Sequence, residues 1–156
     1  MLKNTEFILR DMTLCDVYQV YAIEKKVFSN PWTKSMFEEE MKRQSQLSYF
    51  LVAVLGPRIV GYMGFWLILE ESHIINLAVD PDFRKQGIGE KLLIATNQKA
   101  LDLGAKCATL EVRMSNQSAI ELYLKHGFEI VAIRPKYYQD NQEDAFIMWK
   151  NPLPKV

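Results

Sequence analysis

Long apolar runs are missing from this 156-residue chain. No stretch approaches the 18 or so residues of a bilayer-crossing helix, and the opening MLKNTEFILRDMT has no apolar segment of an export signal. A chain that works in the cytoplasm, away from membranes, is expected. Cysteine is scarce as well: Cys15 and Cys107 lie far apart and neither belongs to a ligand-spaced pair, which argues against a disulfide framework and a zinc site. No metal ligand set is predicted. Charge excess is absent, since 19 basic residues face 19 acidic ones, whereas a nucleic-acid-binding domain is usually clearly basic. There is no GxSxG elbow, no GxxxxGK(S/T) loop, and no GxGxxG with an acidic residue about twenty positions on. The only histidines are His73, at the start of an apolar run, and His126, beside a helix-ending glycine, and neither has a Ser or Cys partner in a nucleophile motif. Repeats, low-complexity tracts and linkers are lacking too. The length suits one domain over residues 1–156, able to bury roughly 70% of its unfolded surface.

What is present is organised around residues 73–93, HIINLAVDPDFRKQGIGEKLL. An apolar run, an Asp-Pro break, a basic glycine turn and an amphipathic run predict strand, turn and helix. Gly87 and Gly89 allow the backbone to approach a ligand, and the following helix directs N–H groups and its positive dipole end at the same point. Arg84 and Lys85 add charge. The turn suits an anion with several oxygens, although a glycine turn after a strand is common in α/β proteins.

The rest of the chain fits around that stretch. Residues 6–10 form a short apolar run, a first strand. Thr13 then caps a helix in which Val17, Val20, Tyr21, Glu24, Val27 and Phe28 recur at helical spacing, with Asp16, Gln19, Lys25 and Lys26 on the outer face. Asn30-Pro31 stops it. A second helix begins at Thr33, with Met36, Phe37 and Met41 as its apolar side. Residues 49–55 and 59–69, separated by Gly56-Pro57, predict a hairpin. After the glycine turn, Gly89, Leu92, Leu93, Thr96, Ala100 and Leu103 share one helix face, which Gly104 ends. Residues 107–112 are a strand with Leu110 and Val112 on one face, Thr109 and Glu111 on the other. Ser115-Asn116 caps a helix over 117–125, ended by Gly127; a strand over 128–134, a polar loop over 135–144 and a strand over 145–149 follow. The order β, α, α, β, β, β, α, β, α, β, β implies an α/β (α+β) chain with a mixed, twisted sheet flanked by helices.

Two residues carry potential acid–base chemistry. Glu111 is a carboxylate inside an otherwise apolar or small strand, and Tyr123 is a phenol on the 117–125 helix. Each also has an ordinary reading: a strand carboxylate at an edge or facing solvent, and an amphipathic core tyrosine beside Ile120 and Leu124. Their position in the chain leaves both open.

The string LEVRMSNQSAIELYLKHGFEIV, together with INLAVDPDFRKQGIG, KYYQDNQEDAFIM and the shorter NPW, resembles the GNAT acyltransferase family. Within that family it is similar to the ribosomal-protein-alanine N-acetyltransferases, the RimI type. The resemblance spans nearly the whole chain. It implies the GNAT fold, a largely antiparallel sheet of six to seven strands with about four helices, and acetyl-CoA as donor. The same resemblance implies that the pantetheine arm lies along Leu77, Ala78 and Val79 as an added strand would. Arg84, Lys85, Gln86, Gly87, Ile88, Gly89 and Glu90 would hold the pyrophosphate, and Asn116 would bond the pantetheine or thioester region. Glu111 matches the general base and Tyr123 the general acid of that group. A backbone N–H near Val79 is the expected oxyanion donor.

The implied reaction is direct acetyl transfer to a protein N-terminal amine, the alanine of small-subunit ribosomal protein eighteen. Alternatives are a GNAT enzyme acting on a lysine side chain or small amine, and an acyl-CoA-binding module without turnover. An α-amine, with a reference pKa near 7.8 against about 10.4 for lysine, costs about 3.5 kcal/mol less to make neutral at pH 7. That favours the N-terminal acceptor.

Overall fold

The computed structural model describes residues 6–43 and 47–154. Seven strands form a sheet in the order β1-β2-β3-β4-β5-β7-β6, where β1 is Ile8–Asp11, β2 Ser48–Leu55, β3 Arg58–Ile68, β4 Glu71–Val79, β5 Cys107–Arg113, β6 Glu129–Arg134 and β7 Ala145–Lys150. Four helices, α1 Val17–Val27, α2 Lys34–Lys42, α3 Ile88–Asp102 and α4 Gln117–Lys125, alternate with them in the predicted order. The sheet is mixed: β4 and β5 are parallel, whereas β1–β2, β5–β7 and β6–β7 are antiparallel. Among the described residues no helix is long and apolar enough to cross a membrane.

By packing, the chain divides into two compact units. One runs to Phe65 and resumes over Asn76–Thr96; the other comprises Trp66–Ile75 and the chain from Asn97 onward.

In the first unit, Val17, Val20 and Ile23 of α1 and Phe37 and Met41 of α2 turn inward with Phe50 of β2 and Tyr62 of β3. Aromatic rings dominate this core: Phe37 lies 6.2 Å from Phe50 and 5.8 Å from Tyr62, with Trp32 5.2 Å from Phe37. Thr33 caps α2 by accepting the Met36 N–H at 3.2 Å. Gly64 of β3 is required for space, because a Cβ there would sit 2.3 Å from Cε1 of Phe50.

Asp16 departs from its expected outer position and is 6% exposed. It accepts both guanidinium nitrogens of Arg10, at 2.7 and 2.9 Å, and the Thr13 N–H at 2.8 Å, closing a capping box ahead of α1. The hydrogen bond from Arg10 outweighs the desolvation and holds this carboxyl below its usual range. Helical periodicity put Asp16 outside; a cap and an arginine on β1 make burial tolerable.

In the second unit, β5 lies between β4 and β7, and β6 forms the edge. The buried side of β5 carries Leu110 and Val112, with Met148 of β7 opposite Leu110. Two helices end alike. Gly104 (φ 101°) follows α3, with Ala105 N–H on the Ala100 carbonyl at 2.9 Å and Gly104 N–H on that of Leu101 at 3.0 Å. Gly127 (φ 87°) follows α4, with Phe128 N–H on the Tyr123 carbonyl at 3.0 Å and Gly127 N–H on that of Leu124 at 3.1 Å. These are Schellman stops, in which glycine takes the left-handed position. Leu103 just before Gly104 is 41% exposed rather than on the buried face.

Candidate active site

The basic turn belongs to the first unit. β4 ends at Val79, and the buried carboxylate of Asp80 accepts from Lys26 at 3.3 Å, Arg58 at 3.1 Å and the Asp82 N–H at 3.1 Å. Asp80 N–H in turn donates to the Val60 carbonyl at 2.8 Å. The point where the chain leaves the sheet is thus fixed from three sides. Pro81–Phe83 then makes one short 3-10 turn, and Arg84, Lys85, Gln86 and Gly87 are exposed before Ile88 opens α3. Lys85 (φ 62°) and Gly87 (φ 80°) both take left-handed backbone. A Cβ at Gly87 would touch nothing, so its glycine serves the φ angle rather than space. Gly89 lies inside α3. The first helical bond is Lys91 N–H to the Gly87 carbonyl at 3.0 Å, which points the first turn's N–H groups, Gly89's among them, out of the helix end. Leu77, Ala78 and Val79 form the end of β4, with Ala78 buried and its neighbours half-buried.

The ladder between β4 and β5 runs from Glu71↔Cys107 to Ile74↔Leu110 and stops, although β4 continues to Val79 and β5 to Arg113.

The acid–base face belongs to the second unit. Parallel pairing sets His73 opposite Thr109, and antiparallel pairing sets Glu111 opposite Ile147 and Arg113 opposite Ala145, with Arg134 across from the same Ala145. By the period of two, His73, Glu111, Arg113 and Arg134 share one face. Glu111 is neither on an edge strand nor at the open surface: its side chain is 11% exposed, on a strand that lies between β4 and β7. Its Oε2 lies 2.8 Å from His73 Nε2 and its Oε1 3.8 Å from Arg134 Nη2. An ionised carboxylate can only accept, so the imidazole Nε2–H donates. The hydrogen bond from His73 outweighs desolvation, and the charges of His73 and Arg134 add to it, so the Glu111 carboxyl is held below its ordinary range.

Sequence reasoning passed over His73. Its signal, a polar ring opening an apolar strand, acquires meaning only once the β4–β5 register is known. Its ring also meets Trp66 edge-on at 5.9 Å. Arg134 went unnoticed for the same reason.

Tyr123 is buried on α4, its ring 5.7 Å from that of Phe128. Burial first, and then Tyr138, push its phenol well above the usual tyrosine value, so it stays protonated throughout the working range. Tyr138 is itself pushed up to about 12, by burial above all, with Glu111 among the smaller causes. Through Tyr138 the two sequence-predicted acid–base residues share an electrostatic neighbour. Asn116 is the N-cap of α4: its Oδ1 accepts Ala119 N–H at 3.3 Å, leaving the Nδ2 side of the amide as the donor face. Among the described residues no group of three or more His, Cys, Asp or Glu could hold a metal ion.

The structure thus sets out a largely buried carboxylate held below its ordinary range, a buried phenol held protonated, and an exposed basic turn ahead of a helix. Residues 17–128 match the model of the acetyltransferase (GNAT) family, and the chain belongs to that family. A Bacillus subtilis protein, provisionally named a ribosomal protein bS18-alanine N-acetyltransferase, is 38% identical over 94% of this chain and 96% of its own length. The Escherichia coli protein of that name is 33% identical over 85% of this chain and 89% of its own. Among solved structures, the Escherichia coli ribosomal-protein-S18-alanine N-acetyltransferase superposes with a TM-score of 0.86 at 29% identity, covering 97% of this chain and 96% of that one.

Proposed function

We propose that this chain, working over residues 1–156 as one acetyltransferase domain, transfers acetyl from acetyl-CoA to the N-terminal alanine of ribosomal protein bS18 in the cytoplasm, with neither nucleic acid nor membrane taking part. The observation that carries the reading is Glu111: a largely buried carboxylate held ionised by His73, in a chain whose relatives of 38% and 33% identity bear that name.

The residues fit the donor. The left-handed Lys85 and Gly87, with Arg84, Gln86, Ile88, Gly89 and Glu90, would bind the pyrophosphate, and Leu77, Ala78 and Val79 at the end of β4 would line the pantetheine arm. Asn116 would donate its amide N–H to that arm. The Val79 N–H would stabilise the oxyanion.

The proton steps follow from the two environments. Glu111 is ionised at neutral pH and therefore ready to accept, directly or through a water. A carboxylate held this low is a weak base towards a free ammonium group. It becomes sufficient once the nitrogen has attacked, because the amine of the tetrahedral intermediate is far more acidic. Tyr123, always protonated, offers its O–H to the departing thiolate. We expect Glu111→Gln and Tyr123→Phe each to lower kcat by about 10²-fold or more.

The test is acetylation of a peptide copying the bS18 N-terminus, followed by release of CoA thiol. A second peptide with a blocked N-terminus and a free lysine is the comparison. Acetylation of the first peptide alone is expected. Efficient transfer to the lysine peptide with none to the alanine peptide would defeat the acceptor assignment while leaving the enzyme class intact.

A further inference from the structure

We infer that Arg113 is a positioning residue that fixes the loop over residues 136–144 and thereby sets acceptor binding; this rests on the acyl-transfer reading above. Arg113 is the last residue of β5, two positions beyond Glu111 on the same face. Its guanidinium reaches three loop side chains: Asp140 Oδ2 at 2.8 Å, Asn141 Oδ1 at 3.1 Å and Glu143 Oε1 at 3.3 Å. Its planar face lies 3.9 Å from the centroid of the Tyr138 ring. A fork of donors with a stacked aromatic is a combination that lysine cannot reproduce.

The loop end of this contact is itself anchored. Glu143 Oε2 accepts the Ser115 N–H at 2.8 Å, one residue ahead of the α4 cap, and Tyr138 N–H donates to the Glu143 carbonyl at 3.2 Å. Independently, Lys136 (φ 52°) and Gln142 (φ 59°) take left-handed backbone without being glycine. Such conformations persist only where surrounding contacts over-determine them. Arg113 supplies three such contacts, to Asp140, Asn141 and Glu143.

From Arg113 the contacts continue towards the base. Tyr137 meets Tyr138 edge-on at 5.1 Å, the guanidinium of Arg134 lies 5.7 Å from the Tyr137 ring, and Arg134 reaches Glu111 at 3.8 Å. A loop displaced by loss of Arg113 would carry both tyrosine rings away from the neighbourhood of Glu111. The turn at Arg84 to Gly87, which binds the donor in our reading, makes none of these contacts.

The experiment measures steady-state constants for both substrates, and backbone hydrogen exchange over 136–144, in wild type, Arg113→Gln, Arg113→Lys and the loop-side Asp140→Asn. Arg113→Gln should raise the acceptor KM by about tenfold with the acetyl-CoA KM within about twofold of wild type, and should speed exchange in the loop. Arg113→Lys should recover only part of the loss, and Asp140→Asn should show a weaker form of it. An unchanged acceptor KM with unchanged exchange overturns the inference, as does an equal rise in both KM values with exchange faster throughout the chain. If wild type acetylates no N-terminal amine, the functional reading falls instead; exchange over 136–144 in Arg113→Gln then decides the clamp alone, and wild-type protection there overturns it.

Discussion

Glu111 owes its charge state to a residue 38 positions earlier in the chain. Burial alone would raise its pKa, and the hydrogen bond from His73 reverses the sign. Replacing His73 with Ala leaves the burial and removes the donor, so the carboxyl's pKa should rise. The depressed native pKa means that the pair's stabilisation is present above the unfolded value of about 4.3 and is lost as pH falls through the native one. For activity, the useful measure is the ratio of His73→Ala to wild-type kcat/KM, which cancels the titration of the acceptor amine. That ratio should fall as the pH is lowered toward about 5. A ratio that is flat with pH would mean that His73 does not control the base. Alternation along 107–112 was enough to put Glu111 opposite Leu110 and Val112, but no local pattern links position 73 to position 111. That link is made by a parallel ladder with α3 between its strands, so only the register reveals it.

The elements themselves were the more legible part, because their boundaries are written in local chemistry. Thr33 and Asn116 cap α2 and α4 as expected, and Gly104 and Gly127 stop α3 and α4 through paired backbone bonds. Where expectation failed, a partner on another element intervened, as with Asp16 beside Arg10. Gly64 shows the limit from the other side. In sequence it is a weak point inside a β-rich run, whereas in the fold it is the space that Phe50 occupies, with Phe37 and Tyr62 packed around. Adding one methyl would force that buried ring out of place, at a cost of about 1–3 kcal/mol. Gly64→Ala should therefore lower Tm by several degrees while leaving the KM for acetyl-CoA unchanged in whatever fraction remains folded. A variant as stable as wild type would show that the aromatic core gives way more easily than its packing implies.

At the scale of the whole molecule, formal charge balances, and the pH dependence of stability is set by a few groups whose environments differ most from water. Asp16, Asp80 and Glu111 are all held below their ordinary values, so their contributions change only in acid. Glu24 is the opposite case. It is 2% exposed on α1, with Oε1 accepting the Trp32 N–H at 3.0 Å and Oε2 buried without a hydrogen-bond partner among the described residues. Desolvation outweighs that one bond and raises its pKa from 4.5 to about 7. A carboxyl that binds its proton more tightly when folded stabilises the fold fully below its unfolded pKa, and that contribution is lost as pH rises through the native value. From pH 4.5 to pH 7, Glu24 should cost the native state about 3 kcal/mol. Urea unfolding at pH 5, 6, 7 and 8 should show stability declining over this range in wild type. Glu24→Gln keeps an acceptor for Trp32 and cannot ionise, so its profile should be flatter by that amount, crossing the wild-type curve or drawing closer to it as the pH rises. Parallel profiles would show that the buried carboxyl finds a compensating partner when it ionises, and that the segment from Phe28 to Trp32 is not held by a proton-sensitive contact.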